Sequence, residues 1–292
     1  MKNLYICNTS SDSVSKVNLE TLVEESIFIK ENNFRKGPHG ICKWDNILLV
    51  ANNFSNTISK IDLLNKNNLE EFYIGSRLTD VKAFNNMAYI TCSENDNLVI
   101  FDLALNKVIC QVPCDVYPHN IEIYETLNIA LITNMISSTV SIFDLKTNEI
   151  IRSIPVGLFP TKSGIIRHGH LMCCESHIGE ETGHLSLIDF NSGEKIKSLE
   201  LGKYPVDFYY DKNDDKVFVS NFEDGSISVI DVLDFKEIKR INIHGMPRGI
   251  IRYGKSLYVG DNLNNNLIII DLKSSKQKII PLGKEPNGMI LD

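Results

Sequence analysis

The chain alternates apolar and polar residues in short runs and shows no sustained helical period. "KVFVSN" (216–221) and "SISVID" (226–231) both alternate, "EIKRINI" is a third extended run, and Pro247 introduces a fourth. Lys216 to Ile250 therefore reads as four short strands joined by polar turns. The rest of the chain repeats this unit. Aligned on the end of the second strand type, the anchors are Asn18, Asp62, Asp102, Asp144, Asp189, Asp231 and Asp271, at intervals of 44, 40, 42, 45, 42 and 40 residues. The strand before each anchor ends at Asn8, Asn52, Cys92, Asn134, Glu175, Asn221 and Asp261. Six of these ends lie 10 residues before their anchor, and the fifth, stretched by "SHIGEETGHL", lies 14 before it. A third landmark precedes the next strand: Pro38, Leu78, Pro118, Pro160, Pro205, Pro247 and Pro286. Proline fixes φ and lacks a donor, which suits a sharp turn into a strand.

Seven units of this length predict an all-β chain, a seven-bladed propeller of four-stranded blades spanning residues 1–292 as a single domain. One blade has two apolar faces and cannot bury them alone, whereas a ring of blades buries both. The chain opens on the strand type that precedes each anchor, and it ends on "PNGMILD", which has the form of the strand that follows each landmark. Residues 287–291 are thus expected innermost in the blade of "LYICN", closing the ring. The anchor Asp and Asn side chains are expected to bond back onto the turns they open. Glycines 75, 157, 202 and 283, each three residues before a landmark, are expected at close approaches of the chain.

The units "YICNTSSDSVSKVN", "LVANNFSNTISKID", "LITNMISSTVSIFD" and "FVSNFEDGSISVID" resemble the YVTN-repeat, or YncE-like, propellers, a branch near the NHL and SMP-30-type propellers. The likeness spans essentially the whole chain. It implies the seven-bladed fold but no one activity, since that family includes surface-layer and extracellular binding proteins with few shared chemistries. Cys92, Glu175 and Asp261 depart from it where the repeat prefers Asn.

A net charge of −7 argues against a duplex nucleic-acid partner. No basic-then-apolar leader opens the sequence and no run of about 18 apolar residues follows, so a cytoplasmic, non-membrane and monomeric protein is expected. The seven cysteines, without CxxC spacing, read as reduced thiols in strands. Met172 with Cys174 and Leu171 with Cys173 are expected on opposite strand faces. Walker, Rossmann, G-x-S-x-G and HExxH motifs are absent.

In a propeller, the residues after each landmark converge on the channel mouth. They are His39 and Gly40, Thr79 and Asp80, His119 and Asn120, Thr161 and Lys162, Val206 and Asp207, Arg248 and Gly249, and Asn287 and Gly288. His39, Asp80, His119, Lys162, Asp207, Arg248 and Asn287 form the expected ligand set. Their mixed charge suits a small polar, anionic or zwitterionic ligand or a peptide or protein tail, and no cofactor is required. The alternative is a lyase or hydrolase in which His39 or His119 takes a proton, Asp80 or Asp207 orients it, and Arg248 or Lys162 stabilises an oxyanion. That reading needs a pocket of roughly 300 Å³ or more and a His–Asp hydrogen bond. The two histidines lie two units apart and must meet across the ring. The irregular fifth unit, expected to be an elongated surface hairpin with solvent-exposed histidines, also carries Glu175, His177 and His184, a second candidate for a metal ion beside one held by His39 and His119. Lys30, Arg35 and Lys36 are expected in a solvated loop, with a place at the fringe of the mouth as the alternative, and Trp44 is expected to plug a blade interface.

Overall fold

The computed structural model describes residues 2–29, 34–65 and 69–292. Lys30, expected in a solvated loop, lies outside them. Seven four-stranded antiparallel sheets follow one another along the chain. Their inner strands, Pro286–Leu291, Pro38–Trp44, Leu78–Phe84, Pro118–Tyr124, Pro160–Ile166, Pro205–Asp211 and Pro247–Tyr253, all begin on a landmark residue. We number the blades 1 to 7 in that order. Each inner strand packs on the next, and Pro286–Leu291 sits between the inner strands of blades 7 and 2. In blade 1 it pairs with Asn3–Asn8, placing Tyr5 opposite Ile290 and Leu4 opposite Leu291, so the two ends of the chain share one sheet.

Strand alternation divides the core into seven wedges, one between each pair of neighbouring blades. Leu49 of blade 2 faces Val81 and Ile90 of blade 3, whereas adjacent Leu48 faces Tyr5 and Val14 of blade 1. Cys174 with Met172 and Cys173 with Leu171 separate in the same way, into the wedges towards blades 6 and 4. All seven cysteines are free thiols. Trp44 packs in the wedge between blades 2 and 3, beneath the Lys60 ammonium at 5.7 Å.

The polar anchors have distinct mechanical roles. Each closing Asp or Asn accepts backbone N–H groups from its own turn, for example Asp144 from Lys146 at 2.7 Å and Thr147 at 3.0 Å, and Asn18 from Glu20 at 2.9 Å. These bonds, given first to the carboxylate, hold Asp144 below the ordinary carboxylate range. The earlier anchor pins the hairpin. Asn8, Asn52, Asn134 and Asn221 each donate through Nδ2 to the hydroxyls five and seven residues on, such as Asn221 to Ser226 at 3.1 Å and Ser228 at 2.8 Å. Where Cys92 or Asp261 replaces the Asn, Val99 or Ile268 replaces the second hydroxyl. Glu175 and Asp261 instead accept from the preceding turn, at Gly157 N (2.7 Å) and Met246 N (3.0 Å). The turn glycines press against these anchors. A Cβ on Gly202 would stand 2.9 Å from Asn221 Cβ, and one on Gly283 would stand 2.7 Å from the Asn8 amide.

Candidate functional site at the channel mouth

In six of the seven inner strands the register shifts directly after the landmark residue, as between Pro38 and Gly40 or Pro118 and Asn120. The closing strand shifts likewise between Pro286 and Met289. Such a bulge frees the next side chain from the ladder and re-aims it. The residue at that point therefore bonds sideways to the neighbouring blade. Thr79 and Thr161 donate through Oγ1 to the carbonyls of Pro118 (3.0 Å) and Pro205 (3.0 Å). His39 and His119 bond through Nδ1 to the carbonyls of Thr79 (2.6 Å) and Thr161 (3.2 Å).

All seven blades contribute to one cavity of about 130 Å³, lined by His39, Asp80, His119, Lys162, Asp207, Arg248 and Asn287 together. The full expected ligand set thus converges. Lys82, Glu122 and Tyr204 line it as well. The first two stand two residues beyond Asp80 and Asn120, so the same alternation, carried one step further, points to them.

The lining has two unlike halves. On blades 3 to 6 the second position after the landmark is Asp80, Asn120, Lys162 or Asp207, and an alternating ionic chain runs across them. Asp80 and Lys82 are 3.7 Å apart, Lys82 and Glu122 3.8 Å, Glu122 and Lys162 3.7 Å, and Lys162 and Asp207 2.6 Å. Burial works against the Lys82 ammonium, but Asp80 and Glu122 outweigh it and hold its pKa above the ordinary lysine value. Burial raises Asp80 despite that neighbour. Asp80 is also held by the amides of Val81 (2.8 Å) and Ile121 (3.2 Å) and by Asn120 Nδ2 (2.8 Å).

On blades 7, 1 and 2 the same position is Gly249, Gly288 or Gly40, and the inner strands close up. A Cβ on Gly288 would fall 2.3 Å from the His39 carbonyl. Across this bare stretch Arg248 of blade 7 reaches His39 of blade 2, with Nη2 3.4 Å from Nε2. The His39 and His119 rings meet edge to face at 5.8 Å, so the distance between their blades does not keep them apart. A carbonyl only accepts, so each Nδ1 carries the proton and each Nε2 is left with a lone pair. Burial lowers the pKa of both rings, with Arg248 adding to it, and His119 falls to about 4. Both are neutral bases at pH 7.

Several expectations are corrected here. His39 and His119 bond to backbone carbonyls, not to Asp80 or Asp207, because the bulge turns them sideways while the aspartates remain in the ladder. The cavity is also smaller than the enzyme reading requires. Arg35 and Lys36 do not line it. Arg35 pairs with Asp12 at 3.2 Å and lies over Phe54, and Lys36 pairs with Glu71. In blade 5 the His177 and His184 rings lie 4.5 Å apart, and His177 Nε2 is 3.8 Å from Glu175, which also holds Lys195 at 3.4 Å. Among the described residues no group of three or more His, Cys, Asp or Glu side chains is placed to hold a metal ion. That Lys195 ammonium already occupies the carboxylate.

No family model matches the chain, and no curated protein sequence matches it significantly. Solved structures do. A functionally unknown protein from Desulfotomaculum acetoxidans superposes with a TM-score of 0.80 at 13% identity, over 99% of this chain and 98% of that one. Hydrazine synthase of Kuenenia stuttgartiensis gives 0.76 at 16% identity over 89% and 90%. Virginiamycin B lyase of Staphylococcus aureus gives 0.73 at 15% identity over 99% and 92%. The shared property is the fold.

Proposed function

We propose that the protein binds a small organic acid bearing a hydrogen-bond donor, such as a hydroxy or amino acid, at the mouth of its channel. The observation that carries this reading is Arg248. Burial pushes its guanidinium below the usual arginine value, yet it remains charged, and among the described residues no carboxylate pairs with it, while the lysines of the mouth are already neutralised by Asp80, Glu122 and Asp207. An incoming carboxylate would supply the missing partner in bidentate geometry. Acceptors stand ready for the donor: the lone pair on His119 Nε2, and Asn120 Oδ1, which is buried without a partner. The cavity volume suits a ligand of only a few heavy atoms.

A thermal-shift series with glycolate, lactate, glycine, alanine and phosphate tests this. At 100-fold excess over Kd, a matching acid contributes about 2.7 kcal/mol, a rise in Tm of roughly 5 °C for a chain of this size. Arg248→Met should abolish that rise. No rise with any of the acids, or an equal rise in the variant, contradicts the reading. The asparagine-pinned hairpins support placing the chain among the YVTN-repeat propellers. The lyase or hydrolase alternative keeps one supporting feature, the neutral His119 base beside Arg248. It requires that His119→Gln retain ligand binding while losing turnover.

A further inference from the structure

A second cavity lies at the opposite ends of the strands, between blades 6 and 7, and the mouth reading makes no use of it. Its volume is about 320 Å³. Phe218, Val229 and Ile241, all buried, form its apolar floor with Leu272, and Ile238, 45% exposed, stands at its edge. Lys216, Lys239, Lys255, Lys273 and Arg252 surround this floor, with Asp214 as the sole carboxylate of the lining. Arg252 is taken up by Asp211 and by Asp214 at 2.6 Å, so the one carboxylate of the lining is spent on it. Lys239 reaches the hydroxyl of Ser275. Among the described residues Lys216 and Lys273 form no ion pair, and Lys255 acts on Asp271, a carboxylate outside the lining. In a chain of net charge −7, an apolar hollow lined by four lysines, one arginine and a single carboxylate is a local reversal of sign.

We infer that this cleft binds an amphipathic anion, a medium-chain aliphatic carboxylate, with its chain against Phe218, Val229, Ile241 and Leu272 and its head among the lysines. The two halves of the site do separate work. Burying methylenes supplies affinity in steps of about 0.8 kcal/mol, nearly fourfold per CH₂, and the ammonium groups choose the head and raise the encounter rate. Lysine stems can cover the apolar chain while their charges stay in water. The inference does not depend on the acid proposed for the mouth, which the cavity there limits to a few heavy atoms.

Calorimetric titration of the whole protein with hexanoate, octanoate, decanoate and decanol tests it. Affinity should rise at least fivefold with each added pair of methylenes from hexanoate to decanoate. Decanol should bind at least tenfold more weakly than decanoate. Lys216→Glu/Lys255→Glu, both changes lying on the rim, should weaken decanoate at least tenfold, and Ile238→Asp, which brings a carboxylate to the edge of the floor, should do the same. Arg248→Met should bind decanoate as the wild type does, which separates this site from the mouth. Equal binding of decanol and decanoate overturns the inference, as does undiminished binding by the charge-reversed variant. Capture by phosphatidylglycerol vesicles without any binding of decanoate overturns it too, and assigns the basic rim to a lipid surface.

Discussion

His119 shows how a single residue's chemistry is set by its neighbours. Its pKa falls from 6.5 to about 4, first through burial and then through Arg248. The unfolded chain therefore takes up a proton as pH drops below 6.5, while the folded protein resists until about pH 4. Stability is unaffected above the unfolded value and declines across that window, by about 3 kcal/mol at most. His119→Asn, which can still donate to the Thr161 carbonyl, should flatten the difference in urea midpoint between pH 7 and pH 4.5. A variant with the wild-type slope would contradict the neutral, buried imidazole. The convergence of His119 with His39, Asp80 and Arg248 was legible in the sequence, because repeat spacing places equivalent residues on one rim. Their pairing was not. It depends on a bulge after each landmark residue that, on blades 2 to 6, takes the first side chain out of the ladder and leaves the second in it.

The elements carry their own signature in the asparagine bracket. Asn221 is fully buried and ties two hydroxyls of the next strand. Asn221→Ala should cost about 1–3 kcal/mol, since it strands buried hydroxyls as well as losing bonds; a chemical denaturation midpoint measures it. Gly202→Ala should be destabilising by a similar amount, because the added methyl meets the Asp224 carboxylate at 2.7 Å and Asn221 Cβ, which is fixed to its backbone, at 2.9 Å. The anchors themselves were plain in the sequence as repeated letters. Their division of labour was hidden, since one Asn pins a hairpin and the other closes a turn although both end an alternating run. The fifth blade was legible in part: alternation sends Cys173 and Cys174 into different wedges as expected, while the pairing of Lys195 with Glu175 across the sheet left no mark in the sequence.

At the scale of the whole molecule the ring is closed by its last strand, and that closure was readable because the chain opens and ends on complementary halves of one unit. Residues 287–292 supply the innermost strand of blade 1, three members of the mouth lining, and the pair between Asp292 and Lys43 of blade 2. Deleting them should expose the wedges on both sides and abolish the single cooperative unfolding transition seen by calorimetry. A truncated protein melting as the intact one does would show that closure lies elsewhere. The asymmetry of the mouth emerges only from the assembled ring. Charged residues on blades 3 to 6 neutralise one another, while glycines on blades 7, 1 and 2 let Arg248 lean across to His39 without a carboxylate partner. The most direct test is ¹⁵N-histidine NMR of the intact protein at pH 7, recorded with and without the acid that most raises its Tm. The account predicts neutral Nδ1–H rings for His39 and His119 in the free protein. It further predicts a shift of His119 Nε2 when the acid is added, lost in Arg248→Met. Imidazolium signals from either ring, or a spectrum unmoved by the acid, would contradict it.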